Sequence, residues 1–134
     1  MSTIVVIAMF AVLLLLPVMF FIRRKIPIRL NQKYFVKEWR YLQAMCANKD
    51  TWPLAIINAD KLLDNALKKR RFNGKTMGER LVAAQRKLSN NDGVWHAHKL
   101  RNKLVHEQDI TLKEKDVREA LVGIRQALKD LGAL

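Results

Sequence analysis

Apolar residues are distributed along this chain in two different ways. From Thr3 to Ile22 they run almost unbroken, TIVVIAMFAVLLLLPVMFFI, and the first 22 residues carry no charged side chain. Twenty residues at about 1.5 Å rise make about 30 Å of helix, the thickness of a hydrocarbon core. The run predicts a transmembrane helix. Pro17 removes one hydrogen bond inside it, which membrane helices tolerate. From Phe35 onward the apolar residues instead recur at three- and four-residue intervals, the period of an amphipathic helix.

That period predicts a succession of helices. Ile26-Pro27-Ile28 reads as a short linker, because proline disfavours a helix through the preceding residue. Asn31 is a suitable N-cap for a helix to about Asn48, with Phe35, Trp39, Leu42 and Cys46 on its apolar face. A helix after Thr51 takes Pro53 in its first turn and carries Ile56, Ala59, Leu63, Ala66 and Leu67. Thr76-Met77-Gly78-Glu79 is a capping box opening a short helix with Leu81, Val82, Ala84 and Leu88. Residues 89–93, Ser-Asn-Asn-Asp-Gly, predict a turn, and a helix follows from Val94 to about Gln108. Thr111-Leu112-Lys113-Glu114 predicts a second capping box. The last helix buries Val117, Ala120, Leu121, Ile124, Ala127, Leu128 and Leu131, and stops at Gly132.

No stretch alternates as a strand does, and five glycines with three prolines leave little material for hairpins. The expected fold is all-α: a transmembrane helix, then an up-and-down bundle of about five helices joined by short loops. Residues 1–30 form the anchor with its basic juxtamembrane linker, and residues 31–134 form the one domain that a chain of 134 residues can hold beyond it.

Charge sharpens this picture. The net charge is +13, from 25 Lys+Arg against 12 Asp+Glu, and every charged residue lies at or after Arg23. A plain soluble globule and a disordered basic tail are both excluded. Arg23, Arg24, Lys25, Arg29 and Lys33 follow the apolar run with no acidic residue among them. By the positive-inside rule they stay in the cytoplasm, and they suit anionic headgroups. A cleaved signal peptide fits poorly, since no cation precedes the run and no small-x-small site follows it. The expected location is the plasma (inner) membrane, with the N-terminus outside, residues 3–22 among the lipids and the bundle in the cytoplasm. The single cysteine, Cys46, excludes an internal disulfide framework and reads as a small buried hydrophobe.

Three features bear on chemistry. Gly74-Lys75-Thr76 resembles the end of a phosphate-binding loop, but Lys69 stands where the first glycine belongs and no strand precedes it. Lys68, Lys69, Arg70, Arg71 and Lys75 put five cations in eight residues. One or two would complement a helix C-terminus, and the excess points to an anionic partner, either RNA or the membrane surface. Trp39, Trp52 and Trp95 have the rings for base stacking but sit on apolar stripes or helix starts, where they pack a core.

The third feature is residues 94–107, which contain all three histidines. His98, Asn102 and His106 fall at i, i+4 and i+8 along one helix, with Arg101 one step aside. Histidine moves protons near neutral pH, and arginine grips phosphate oxygens in pairs. The same stripe would serve structure if its members were hydrogen-bonded inside the bundle. No metal site is expected, because His98 and His106 lie two turns apart, and no cofactor is implied.

Arg101-Asn102-x-x-x-His106, late in a small all-α domain, resembles the HEPN superfamily, whose signature is Arg, a polar residue, then His after a short gap. The resemblance covers residues 31–134. It implies a metal-independent ribonuclease acting as a homodimer, with Arg101 and His106 of two chains meeting across a symmetric cleft. His106 would assist attack of a 2′-hydroxyl on the adjacent phosphate, Arg101 would stabilise the charge that develops, and Asn102 would orient the pair. Apart from the resemblance, His98 and the basic residues Lys68, Lys69, Arg70, Arg71 and Lys75 are the candidates for holding RNA phosphates. Other HEPN domains bind or dimerise without catalysis, and a membrane anchor departs from their common soluble layout. The alternative is therefore a non-catalytic, membrane-tethered module for a protein partner, or a structural subunit of a membrane complex.

Overall fold

A computed structural model describes residues 2–134, with backbone alone at residues 24 and 25. Two of the five cations that follow the apolar run, Arg24 and Lys25, thus have side chains outside the described residues. Among the described residues the fold is all-helical, with no strand and six α-helices: α1 (Thr3–Lys25), α2 (Gln32–Met45), α3 (Trp52–Lys69), α4 (Met77–Ala84), α5 (Asn91–His106) and α6 (Glu114–Asp130).

Helix α1 is apolar and long enough to cross a membrane: Thr3–Arg23 has a mean hydropathy of 3.1, and none of this stretch is buried against the rest of the chain. A signal sequence shares these properties.

The remaining helices surround α3. Its inward face carries Ala55, Ile56, Ala59, Leu63, Ala66 and Leu67, each fully buried, and it touches α2, α4, α5 and α6. Burying one such leucine contributes about 1.5–3 kcal/mol. Trp52 and Ile56 at the start of α3 meet Val117 at the start of α6, so these two helices run the same way. Helix α5 runs against α6, with Gly93 beside Gly123 near one end and His96 beside Asp116 and Glu119 further along.

The local signals explain most of the boundaries. Asn31 accepts from the Tyr34 N–H and opens α2, and Pro53 lies in the first turn of α3. At Thr76 the capping box is complete, with Thr76 and Glu79 exchanging side-chain-to-backbone bonds. Helix α6 closes in a Schellman turn: Gly132, at φ +77°, donates to Lys129 and Ala133 donates to Leu128. The end of α3 makes the same turn with Arg71 at φ +62°, where Arg71 donates to Lys68 and Phe72 donates to Leu67.

Several expectations need correction. The second capping box does not form: α6 starts at Glu114 behind Lys113, with no side-chain cap, because the Glu114 carboxylate turns forward to Arg118 at 2.8 Å. Residues 91–93 belong to α5 rather than to a turn, since Asn90 caps it by accepting the Gly93 N–H at 3.0 Å. Helix α2 ends at Met45 and α5 at His106, each earlier than expected. Leu88 is buried but lies beyond α4, and Val82 faces outward. Cys46 is half-buried at the C-cap of α2, and burial pushes its thiol pKa up.

Candidate functional site

The chemistry foreseen around Arg101 meets a residue that the sequence reading passed over. Asp60, on the buried face of α3, is only 4% exposed. Across from it on α5, His98 lies with Nδ1 3.0 Å from Asp60 Oδ1, and Arg101 Nε lies 3.6 Å from Oδ2. A carboxylate can only accept, so the His98 Nδ1 carries the proton and the other ring nitrogen stays a free acceptor in the neutral ring. Arg101 Nη1 donates to the side-chain oxygen of Asn102 at 2.9 Å, while its Nε has no hydrogen-bond partner among the described residues. Trp95 meets the His98 ring edge-on at 6.0 Å between centroids.

One turn further along α3, Asp64 holds a second cluster. It accepts from Arg80 Nε at 2.7 Å and pairs with Lys68 Nζ at 2.9 Å. Burial alone would raise the Asp64 carboxyl, but the hydrogen bonds and charges of Arg80 and Lys68 outweigh it and hold the pKa below the usual carboxylate range. Arg80, itself buried, also donates to the Gly74 carbonyl at 2.8 Å and so fixes the loop that carries Lys75.

These two clusters line one cleft of about 740 Å³ between α3, α4 and α5. Its walls carry five cations, Lys61, Lys68, Lys75, Arg80 and Arg101, against two carboxylates, Asp60 and Asp64, with His98 and Asn102 beside them. The two aspartates leave a surplus of three positive charges among the lining residues.

Of the residues expected to act, Arg101, Asn102, His98, Lys68 and Lys75 thus come together. His106 does not join them within one chain: it is the last, exposed residue of α5. At about 100° per residue, His106 is turned about 80° from His98 and about 140° from Arg101. Lys69 and Arg71 are exposed at the end of α3, outside the cleft lining, and Arg70 is half-buried beside them. Trp39 and Trp52 are buried in the core, and Trp95 is half-buried.

Two signals for this site were present in the sequence and not used. Asp60 falls on the stripe of Ile56, Leu63 and Leu67, and a carboxylate on an apolar stripe demands a cationic partner. His98 and Arg101 are spaced i, i+3, so they can face one such partner. Elsewhere, His96, Asp116 and Glu119 bring ligand-type atoms within 4.8 Å of one another on the α5–α6 surface, but Glu119 already faces Lys115 at 3.8 Å. No family model, no curated protein and no solved structure matches the chain, and the likeness to HEPN domains rests on the motif residues alone.

Proposed function

We propose that the chain is a single-pass membrane protein, N-terminus outside, whose residues 31–134 form a cytoplasmic up-and-down bundle that binds RNA in the α3–α4–α5 cleft. The observation that carries this reading is the cleft's surplus of cations, drawn from α3, α4, α5 and the loop at Lys75. A single phosphate carries a charge of about −1.5 to −2, so three surplus charges suit a polyanion better than one isolated group. Contacts of this kind hold the phosphate backbone without reading base sequence.

Cleavage is a further step. In a homodimer of the HEPN kind, His106 of a second copy would approach Arg101 and take the proton of the 2′-hydroxyl; that oxygen attacks phosphorus as the bond to the 5′-oxygen breaks, and the departing 5′-oxygen takes a proton from water, leaving a 2′,3′-cyclic phosphate. Within one chain, His98 is already engaged by Asp60.

A second reading, docking of a protein partner, is favoured by a hollow of about 400 Å³ between α2 and α6, lined by Trp39, Val117, Leu121 and Val122. Val122 there is 57% exposed.

The test is RNA binding by the full chain in neutral-lipid nanodiscs across a salt series. Each phosphate contact contributes about 0.7 to the slope of log affinity against log salt for a single strand. A Lys61→Ala, Lys75→Ala double variant should lower that slope by about 1.4 while leaving the melting temperature in place. Absence of binding at low salt sinks the RNA reading and favours the protein partner.

A further inference from the structure

We propose that one end of the helical domain docks directly on an anionic lipid surface through Lys69, Arg70 and Arg71, together with Arg29 and Lys33. The proposal rests on α1 being a membrane span, and it concerns a surface separate from the RNA cleft.

The first argument is a tether. The Ile28 N–H donates to the Lys69 carbonyl at 3.3 Å, and Leu30, two residues on, is buried in the core. The apolar span ends at Arg23, five residues earlier. Five residues reach at most about 18 Å even when fully extended. The headgroup layer occupies about 5–7 Å of that distance. The end of α3 is therefore held within roughly a Debye length of the membrane surface, where its charges are felt.

The second argument is apolar. Ile26 and Ile28 are 57% and 50% exposed, on the segment that bridges span and domain. Two isoleucines displayed there are covered if the linker lies in the interface, and wetted if the domain stands away from it.

The third is the placement of charge. Lys33 at the start of α2 belongs to the same end, which the α6 terminus joins through the Gln32 Nε2 bond to the Gly132 carbonyl at 3.4 Å. Asp130 at the end of α6 keeps its charge, with its carboxylate accepting from Ser89 at 2.7 and 2.8 Å and from Gln126 at 2.9 Å, and it stands against the five cations named. The opposite end, where Val117 meets Trp52, sets Glu107, Asp109, Glu114, Asp116 and Glu119 against Lys113, Lys115 and Arg118, with Glu114 paired to Arg118 at 2.8 Å and Glu119 to Lys115 at 3.8 Å. An anionic leaflet attracts the first end and not the second, which orients the domain as well as holding it. Lys68 and Lys75 line the cleft and take no part.

The test uses the full chain in nanodiscs of phosphatidylcholine, with and without one-third phosphatidylglycerol. Amide hydrogen exchange is followed over residues 26–33 and 68–73. Each cation near an anionic surface shifts the docking equilibrium about fivefold, so exchange there should slow at least tenfold in the anionic discs and recover in high salt. A K69Q/R70Q/R71Q variant should lose the slowing while exchange in α5 and α6 stays as in the parent, which shows the fold intact. Equal exchange in both lipids overturns the proposal, and so does slowing that survives in the variant. Slowing produced by RNA on neutral discs, with none from anionic lipid, assigns the patch to RNA and also overturns it. Alkaline carbonate extraction separates the two levels: a chain that washes off vesicles removes the anchor and the docking together, whereas a retained chain with equal exchange removes the docking alone.

Discussion

Gly123→Ala should destabilise the domain, although the same change normally stabilises a helix. A methyl carbon built on Gly123 would sit 2.5 Å from the Gly93 carbonyl oxygen and 2.8 Å from its Cα. Ordinary contact needs at least 3.4 Å, so the backbones of α5 and α6 must part by roughly 1 Å. Alanine in place of glycine gains about 0.8–1 kcal/mol of helix propensity. Against this stands overpacking at about 1–3 kcal/mol. The opening also loosens Val94, Ala97, Ala120 and Ile124, all fully or almost fully buried along the same two helices. The net expectation is a loss of about 1–2 kcal/mol, since the displaced atoms are backbone and cannot rotate aside. For a domain of this size each kcal/mol moves the melting temperature by about 4–8 °C. Circular dichroism of the full chain in detergent reads it, with α1 as a constant helical background. Gly78→Ala in α4 is the comparison, because its nearest neighbours would be 3.8 and 3.9 Å away. That change should leave the midpoint unchanged or raise it. A midpoint for Gly123→Ala equal to or above the parent would refute the backbone contact.

Acid should unfold the domain partly through two aspartates. Asp64 and Asp130 are both held below the ordinary carboxylate range, Asp130 because bonds from Ser89 and Gln126 outweigh its burial. Their contribution is fully present above the unfolded value, so the midpoint should hold from neutral pH to about 5 and fall below about 4. Asp64→Asn should flatten part of that fall, and a midpoint indifferent to acid would contradict the assignment. If two copies cleave RNA, His106→Ala should slow cleavage by at least about 10² with little change in melting, and a chelator should have no effect. A parent protein with no cleavage at all restricts the domain to binding. Protease added outside intact cells should spare residues 31–134, and digestion of the bundle would reverse the orientation.

Much of the helix pattern was legible because local chemistry decides it. Asn31, Pro53, the Thr76–Glu79 box and the apolar run before Arg23 each act within one turn, and each sits where expected. The failures lie where two local answers compete. Residues 89–92 offer four residues of cap type in a row, and only the packed structure selects Asn90. Glu114 could fold back to Thr111 or forward to Arg118, and the sequence does not rank the two. The site was half legible for a geometric reason. A spacing of four drifts about 40° around a helix, so a stripe counted over eight residues leaves its own face. That drift carries His106 away from the cleft, while Asp60, contributed by a helix distant in sequence, enters it.

The turn after α3 shows stability and charge pulling in opposite directions. Arg71 holds a left-handed backbone, φ +62°, that glycine takes without strain. For a residue with a Cβ the conformation costs about 1 kcal/mol. Arg71→Gly is thus a one-step route to a firmer domain, and it removes a positive charge from the cluster at the end of α3. A more thermostable form of this protein obtained by relaxing that turn would be a less cationic one, so heat resistance alone is a poor guide to improving it.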